Sequence, residues 1–130
     1  MFLLDTDTVI YSLKGQGGVA ENLRIHVHDS LYLSTITMME LYYGAYKSQN
    51  VDANLAKLKT IESAFPLLPP GPETVDAFGK MKTTLEVQGL RLADLDLIIA
   101  ATALARNLTL VSNNQKHFRR IPGLKLVNWA

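Results

Sequence analysis

Short apolar runs alternate along this chain with longer segments of helical period. Phe2-Leu3-Leu4 is an apolar run closed by Asp5, which reads as a buried strand with a carboxylate at its C-terminal end. Thr6-Asp7-Thr8 offers capping side chains, Val9, Ile10 and Leu13 a helical face, and Gly15, Gly17 and Gly18 break that helix. A short amphipathic helix is expected over residues 19–29, then a strand at Leu31-Tyr32-Leu33-Ser34. A helix starting at Thr35 or Thr37 runs from Ile36 to about Ser48, and another spans residues 50–63 with Leu55, Leu58 and Ile61 inward. Phe65-Pro66-Leu67-Leu68 reads as a short strand whose proline suits a sheet edge, and Pro69-Pro70-Gly71-Pro72 as a rigid turn. The helix expected over 73–88 places Val75, Phe78, Met81 and Leu85 on one face and ends at Gly89. Asp94 to Asn107 is a near-continuous apolar helix, residues 108–112 a strand, and Lys125-Leu126-Val127 a last short strand. No repeat or low-complexity tract interrupts the series, so 1–130 is read as one domain.

Strands alternating with helices imply an α/β fold with an open, mostly parallel sheet of about five strands and right-handed crossovers. Ligands in such sheets bind beyond the C-terminal strand ends, where helix N-termini also gather. Asp5 ends the first strand, Glu40 lies in the second turn of the helix after the second, and Asn114 follows the strand at 108–112. Asp96 opens the helix that feeds that strand, so all four groups are expected on one rim. Asp94 is a good N-cap and Asp96 then falls in the first turn, where a helix dipole favours negative charge. Glu40 is a lone carboxylate among Met38, Met39, Leu41, Tyr42 and Tyr43, and needs a cation, a water or Lys47 to satisfy it. Crowded carboxylates call for a divalent cation, and oxygen-only donors suit magnesium or manganese. His26 and His28 lack an evident acid partner and make a weak metal signal.

Hydrophobic content of 48% and charged content of 19% indicate a folded, globular chain rather than a disordered one. The absence of cysteine excludes disulfides and thiolate chemistry and suits the cytoplasm. Neither a signal peptide nor a transmembrane segment is expected. The net charge of +1 conceals an uneven distribution. Asp5, Asp7, Glu40, Asp94 and Asp96 lie in the candidate site, and no acid follows Asp96. Arg106, Lys116, Arg119, Arg120 and Lys125 all lie in that tail, with Lys116, Arg119 and Arg120 closest to Asn114. Basic residues beside an acidic cluster fit a polyanion held next to metal ions.

Leu4-Asp5-Thr6-Asp7, Ser34-Thr35-Ile36-Thr37-Met38-Met39-Glu40-Leu41 with Gly44, Asp96-Leu97-Ile98-Ile99-Ala100-Ala101, and Ser112-Asn113-Asn114 with Phe118 together resemble the PIN-domain family. More narrowly they resemble its VapC-type toxins, and the likeness extends to Pro122-Gly123-Leu124 and Asn128-Trp129. The resemblance implies a magnesium-dependent ribonuclease, a parallel sheet with helices on both faces, a homodimer, and a cognate antitoxin that blocks the site. By this match Asp5, Glu40 and Asp96 are the acidic metal-site residues and Asn114 occupies a more variable fourth position. Asp7 stands where asparagine is commoner, as a ligand-orienting group or a helix cap. Asp94 has no firm counterpart and is an N-cap first, an outer-shell group second. The apolar Met38–Tyr46 region is the expected source of dimer or antitoxin contacts.

Two other readings stay open on the sequence. Asp5-Thr6-Asp7-Thr8-Val9 fits the opening motif of haloacid-dehalogenase-like phosphatases, with Asp5 as nucleophile and Asp7 as acid/base. That family also needs a paired-acid loop after a later strand, and no acid follows the 108–112 strand. The third reading is a non-catalytic RNA- or partner-binding module, against which the intact Asp5, Glu40 and Asp96 set argues.

Overall fold

The computed structural model describes residues 1–130. Strands β1 (Phe2–Leu4), β2 (Leu31–Ser34), β3 (Leu67–Leu68), β4 (Thr109–Val111) and β5 (Leu126–Val127) form one sheet in the order β3-β2-β1-β4-β5. Every neighbouring pair is parallel. The helices are α1 (Thr6–Leu13), α2 (Gly17–Ile25), α3 (Thr35–Lys47), α4 (Val51–Ala64), α5 (Pro72–Val87), α6 (Asp94–Ala105) and α7 (Gln115–Phe118).

A parallel sheet covered on both faces needs strands that are apolar throughout rather than alternating, and the short runs here meet that need. Adjacent residues on a strand serve opposite layers. Leu3 and Leu110 pack with Met81, Leu85, Leu97 and Ile99 on the α5–α6 side. Leu4, Leu33 and Val111 pack with Val9, Met38, Leu41 and Leu58 on the side of α1, α3 and α4. Ala100, Ala101 and Ala103 are wholly buried, and their small side chains let α6 lie close to its neighbours.

The elements match the expected series, with different ends. Gly15, with φ of 66°, makes the break after α1, whereas Gly17 and Gly18 begin α2 rather than precede it. Helix α2 stops at Ile25. His26 stacks on Trp129 with centroids 4.8 Å apart, and its Nδ1 lies 2.6 Å from Asp29 Oδ2. It therefore has an acid partner that the sequence did not suggest, and its place is structural. The strand expected at 65–68 shrinks to β3 at the sheet edge, because Phe65 still closes α4. Helix α6 ends at Ala105. Asn107 takes a φ of 54°, and the Leu108 N–H returns to the Ala103 carbonyl at 2.8 Å, a turn that ends the helix before 107. The four-residue α7 has too short a period to announce itself in the sequence. No helix is long and apolar enough to cross a membrane.

Helix α7 is held by one side chain, Phe118, which is fully buried against the α5–α6 layer. Phe118→Ala is expected to cost about 3–5 kcal/mol, as for other buried aromatic truncations, read as a lowered urea midpoint.

Candidate active site

The chain builds β1, β2 and β3 outward in one direction and then returns to place β4 and β5 on the other side of β1. The order reverses between β1 and β4, and a crevice opens beyond the C-terminal ends of strands at such a reversal. Leu4 pairs with Val111, so the next residues, Asp5 and Ser112, leave the sheet side by side. Asp5, Thr6, Asp7, Ile10, Asp96, Asn113 and Asn114 line a cleft of about 410 Å³ there. Asp5 is the N-cap of α1 and Asn114 that of α7, yet neither side chain caps its helix. Both are free for the cleft. Ala93 caps α6, which puts Asp96 in the first turn.

Asp5 is only 5% exposed. Its Oδ2 accepts the Ser112 hydroxyl at 2.8 Å, and its backbone N–H donates to the Val111 carbonyl at 2.9 Å. Asp7 Oδ2 accepts the Asn113 N–H at 3.1 Å and lies 3.4 Å from Ser112 Oγ. Ser112 has one proton, and the shorter contact assigns it to Asp5; its oxygen accepts the Asn114 N–H at 2.9 Å. Burial first, then the charges of Asp7 and Asp96, push the Asp5 carboxyl up to about 7, although Ser112 and the Thr6 backbone pull the other way. Asp96 is also raised, mainly by burial, with His117 lowering it and Asp7 raising it.

The expected residues do not all meet. Asp5, Asp96 and Asn114 share the cleft with Asp7, which the Asn113 backbone N–H holds at its wall. Glu40 stands to one side. Its Oε1 accepts the Thr6 hydroxyl at 2.9 Å, and it lines the adjoining groove with Thr6, Ile10, Leu41 and Lys57. Glu40 thus reaches the cleft through Thr6, which belongs to both. Asp94 is not the N-cap but the first residue of α6; it pairs with Lys82 of α5 at 3.0 Å and does not line the cleft. Two residues on a helix point about 200° apart, so Asp94 and Asp96 cannot serve the same side. Lys116 and Arg119 are exposed, Arg120 is half-buried, and none of the three is ion-paired. Sequence reasoning missed Ser112 as the Asp5 partner, because only the β1–β4 register brings the two level. It also missed His117, three residues past Asn114 on the same helix.

No three acidic or histidine side chains converge tightly enough to enclose an ion. The donor set nevertheless fits magnesium or manganese, which bind through one or two carboxylates and keep several waters. Asp5 and Asp96 supply carboxylates and Asn114 a neutral oxygen, and a cation there would offset both the burial of Asp5 and its repulsion by Asp7 and Asp96.

Comparison with known proteins agrees with this geometry. The PIN domain family matches residues 2–124. Ribonuclease VapC2 of Rickettsia felis is 35% identical, over 99% of this chain and 98% of its own length. The tRNA(fMet)-specific endonuclease VapC of Shigella flexneri is 32% identical, with the same coverage. The crystal structure of VapBC2 from Rickettsia felis bound to a promoter DNA fragment superposes with a TM-score of 0.94 at 34% identity, covering 99% of this chain and 98% of the other. A phosphatase of the haloacid-dehalogenase type is thereby set aside: the reversal of strand order, the cleft beside it and the full-length likeness place this chain in the PIN-domain family, among the VapC ribonuclease toxins of toxin–antitoxin pairs.

Proposed function

We propose that this chain is a divalent-cation-dependent endoribonuclease that hydrolyses RNA in the cleft between β1 and β4, and that a cognate antitoxin restrains it in the cytoplasm. The observation that carries the reading is Asp5, a carboxylate buried to 5% exposure beside two further acids. A bound divalent cation supplies Lewis acidity toward a phosphodiester and offsets the negative charge of the cluster. Asp5 and Asp96 are the residues to hold it, with Asn114 as a neutral donor and Glu40 acting from the side through Thr6. Ser112 and the Thr6 backbone fix Asp5, and the Asn113 backbone N–H fixes Asp7. Lys116, Arg119 and Arg120 bring unpaired positive charge to the Asn114 side, where an RNA backbone is to lie. The relatives named for tRNA(fMet) make a transfer RNA the first substrate to test.

The same acids explain how a partner inhibits. A carboxylate cluster short of cations attracts a guanidinium, which binds such oxygens in a bidentate manner. The relatives solved as VapBC complexes support an antitoxin segment that places an arginine there. Met39, Tyr43 and Tyr46 are about 60% exposed on α3. That apolar surface suits the antitoxin or a second copy of the chain in a homodimer.

The metal reading makes a pH-dependent prediction. In the cation-free chain, Asp5 keeps in the folded state a proton that the unfolded chain releases above about pH 4. The contribution of Asp5 to stability is therefore fully present below that value and is lost as pH rises through about 7, by several kcal/mol for a shift of this size. Melting temperature should drop over this range in wild type and much less in Asp5→Asn. Magnesium should raise it more at about pH 7.5 than at about pH 5. Equal slopes in the two proteins would remove Asp5 as the uncompensated group.

The catalytic reading is tested with Asp96→Asn, which keeps volume and removes charge. Cleavage of a transfer-RNA pool should stop in EDTA, return with magnesium or manganese, and fall at least ~100-fold in the variant. A residue acting only on the helix dipole would change stability by ~0.3–1 kcal/mol and leave the rate alone. In cells, wild type alone should arrest growth, Asp96→Asn should not, and co-expression of the neighbouring reading frame should relieve the arrest. For the RNA path, replacing Arg119 and Arg120 by alanine should reduce the slope of log affinity against log salt by about 0.7 per lost contact. An unchanged slope moves the path elsewhere.

A further inference from the structure

Asn114 holds the N-cap position of α7, and asparagine there ordinarily accepts a backbone N–H of the first turn. Here its side chain makes no capping bond. Its Nδ2 lies 3.2 Å from Nδ1 of His117 instead, one residue short of a full turn along α7. An amide nitrogen only donates, so Nδ1 accepts and the neutral ring carries its proton on Nε2. No protein group bonds Asn114 Oδ1, which leaves it as the free end of a side chain that lines the cleft with Asp5 and Asp96. A carboxamide can present either end to a site, and the two ends have opposite chemistry: oxygen serves a cation, whereas the NH₂ group repels one. His117 is the side chain that breaks this symmetry.

We propose that His117 is a positioning residue of the nuclease site: by taking the Asn114 amide hydrogen on Nδ1 it turns Oδ1 of Asn114 into the cleft as the donor for the divalent cation. The inference rests on the reading of the cleft as a cation site with Asn114 at its wall. His117 is exposed, so it performs this task without a core role, and its replacement leaves the packing of Phe118 untouched. The ring touches neither β1 nor α6 by a hydrogen bond, so its influence on the cleft passes through Asn114.

Manganese affinity, measured by calorimetry on the full chain, is the readout. His117→Ala should weaken it ~10-fold or more, as for loss of other groups that orient a metal ligand. His117→Asn should retain most of it, because its amide oxygen can occupy the place of Nδ1. Asn114→Asp presents oxygen whichever way it turns, so His117→Ala added to Asn114→Asp should cause no further loss. Imidazole nitrogen shifts at about pH 8, where a free histidine is neutral, should report the Nε2–H tautomer for His117. An unchanged affinity in His117→Ala, an equal loss in the Asn114→Asp background, or an Nδ1–H tautomer overturns the proposal. If Asn114→Ala itself leaves manganese affinity intact, the place of Asn114 in the site fails, and the proposal with it. If Asn114→Ala weakens affinity while His117→Ala does not, the site stands and only the role of His117 is lost.

Discussion

A carboxylate buried at the end of the central strand governs this molecule. Asp5 follows β1 directly and sits in the gap where strand order reverses, its backbone tied to Val111 and its carboxylate to the Ser112 hydroxyl. A charge in that place is costly unless something compensates it. Ser112 and the Thr6 backbone compensate in part, while Asp7 and Asp96 add to the cost. The chain thus folds around a deficit of positive charge, and both of its proposed partners, a divalent cation and an antitoxin arginine, are groups that remove it.

Much of this was readable from the residues because the readable parts are periodic. The apolar runs at 2–4, 31–34 and 108–112 and the helical stretches between them set up a parallel α/β fold, and that order places Asp5, Asp96 and Asn114 on one edge. What escaped was short or lateral. Helix α7 is a single turn, so no period marks it, and with it the pairing of Asn114 and His117 stayed hidden. The partnership of Asp5 with Ser112 depends on strand register, which the β1–β4 pairing decides and no local pattern reports. Asp94 was misplaced by one position in the helix start, and its ion pair with Lys82 comes from the packing of α5 on α6.

Helix α6 shows why the site holds its shape. Beyond Asp96, its body from Leu97 to Ala103 is almost wholly buried, so the position of the carboxylate is tied to the core rather than to a loop. The other end of the site is tied likewise, since Phe118 fixes α7 in that same layer. Two walls of the cleft therefore belong to one packed unit, whereas α1 and α3, which carry Asp5, Asp7 and Glu40, belong to the other face of the sheet. The cleft is the seam between the two layers, which the sheet joins and which α3 bridges where Ile36 packs into the α5–α6 core.

That division gives Glu40 its meaning. It comes from α3, in the layer of α1, and its bond to Thr6 links it to the residue directly after Asp5. Thr6 lines both the acidic cleft and the groove that Glu40 shares with Leu41 and Lys57. A ligand that fills the cleft alone meets Asp5, Asp7 and Asp96, whereas one that runs on past Thr6 and Ile10 also meets Glu40 and an apolar floor from Leu13, Leu41 and Leu58. An isolated cation can engage only the first of these surfaces. A protein segment with a basic residue followed by apolar ones can use both, and the continuity of the two surfaces through Thr6 favours such a segment over an isolated cation as the tighter occupant.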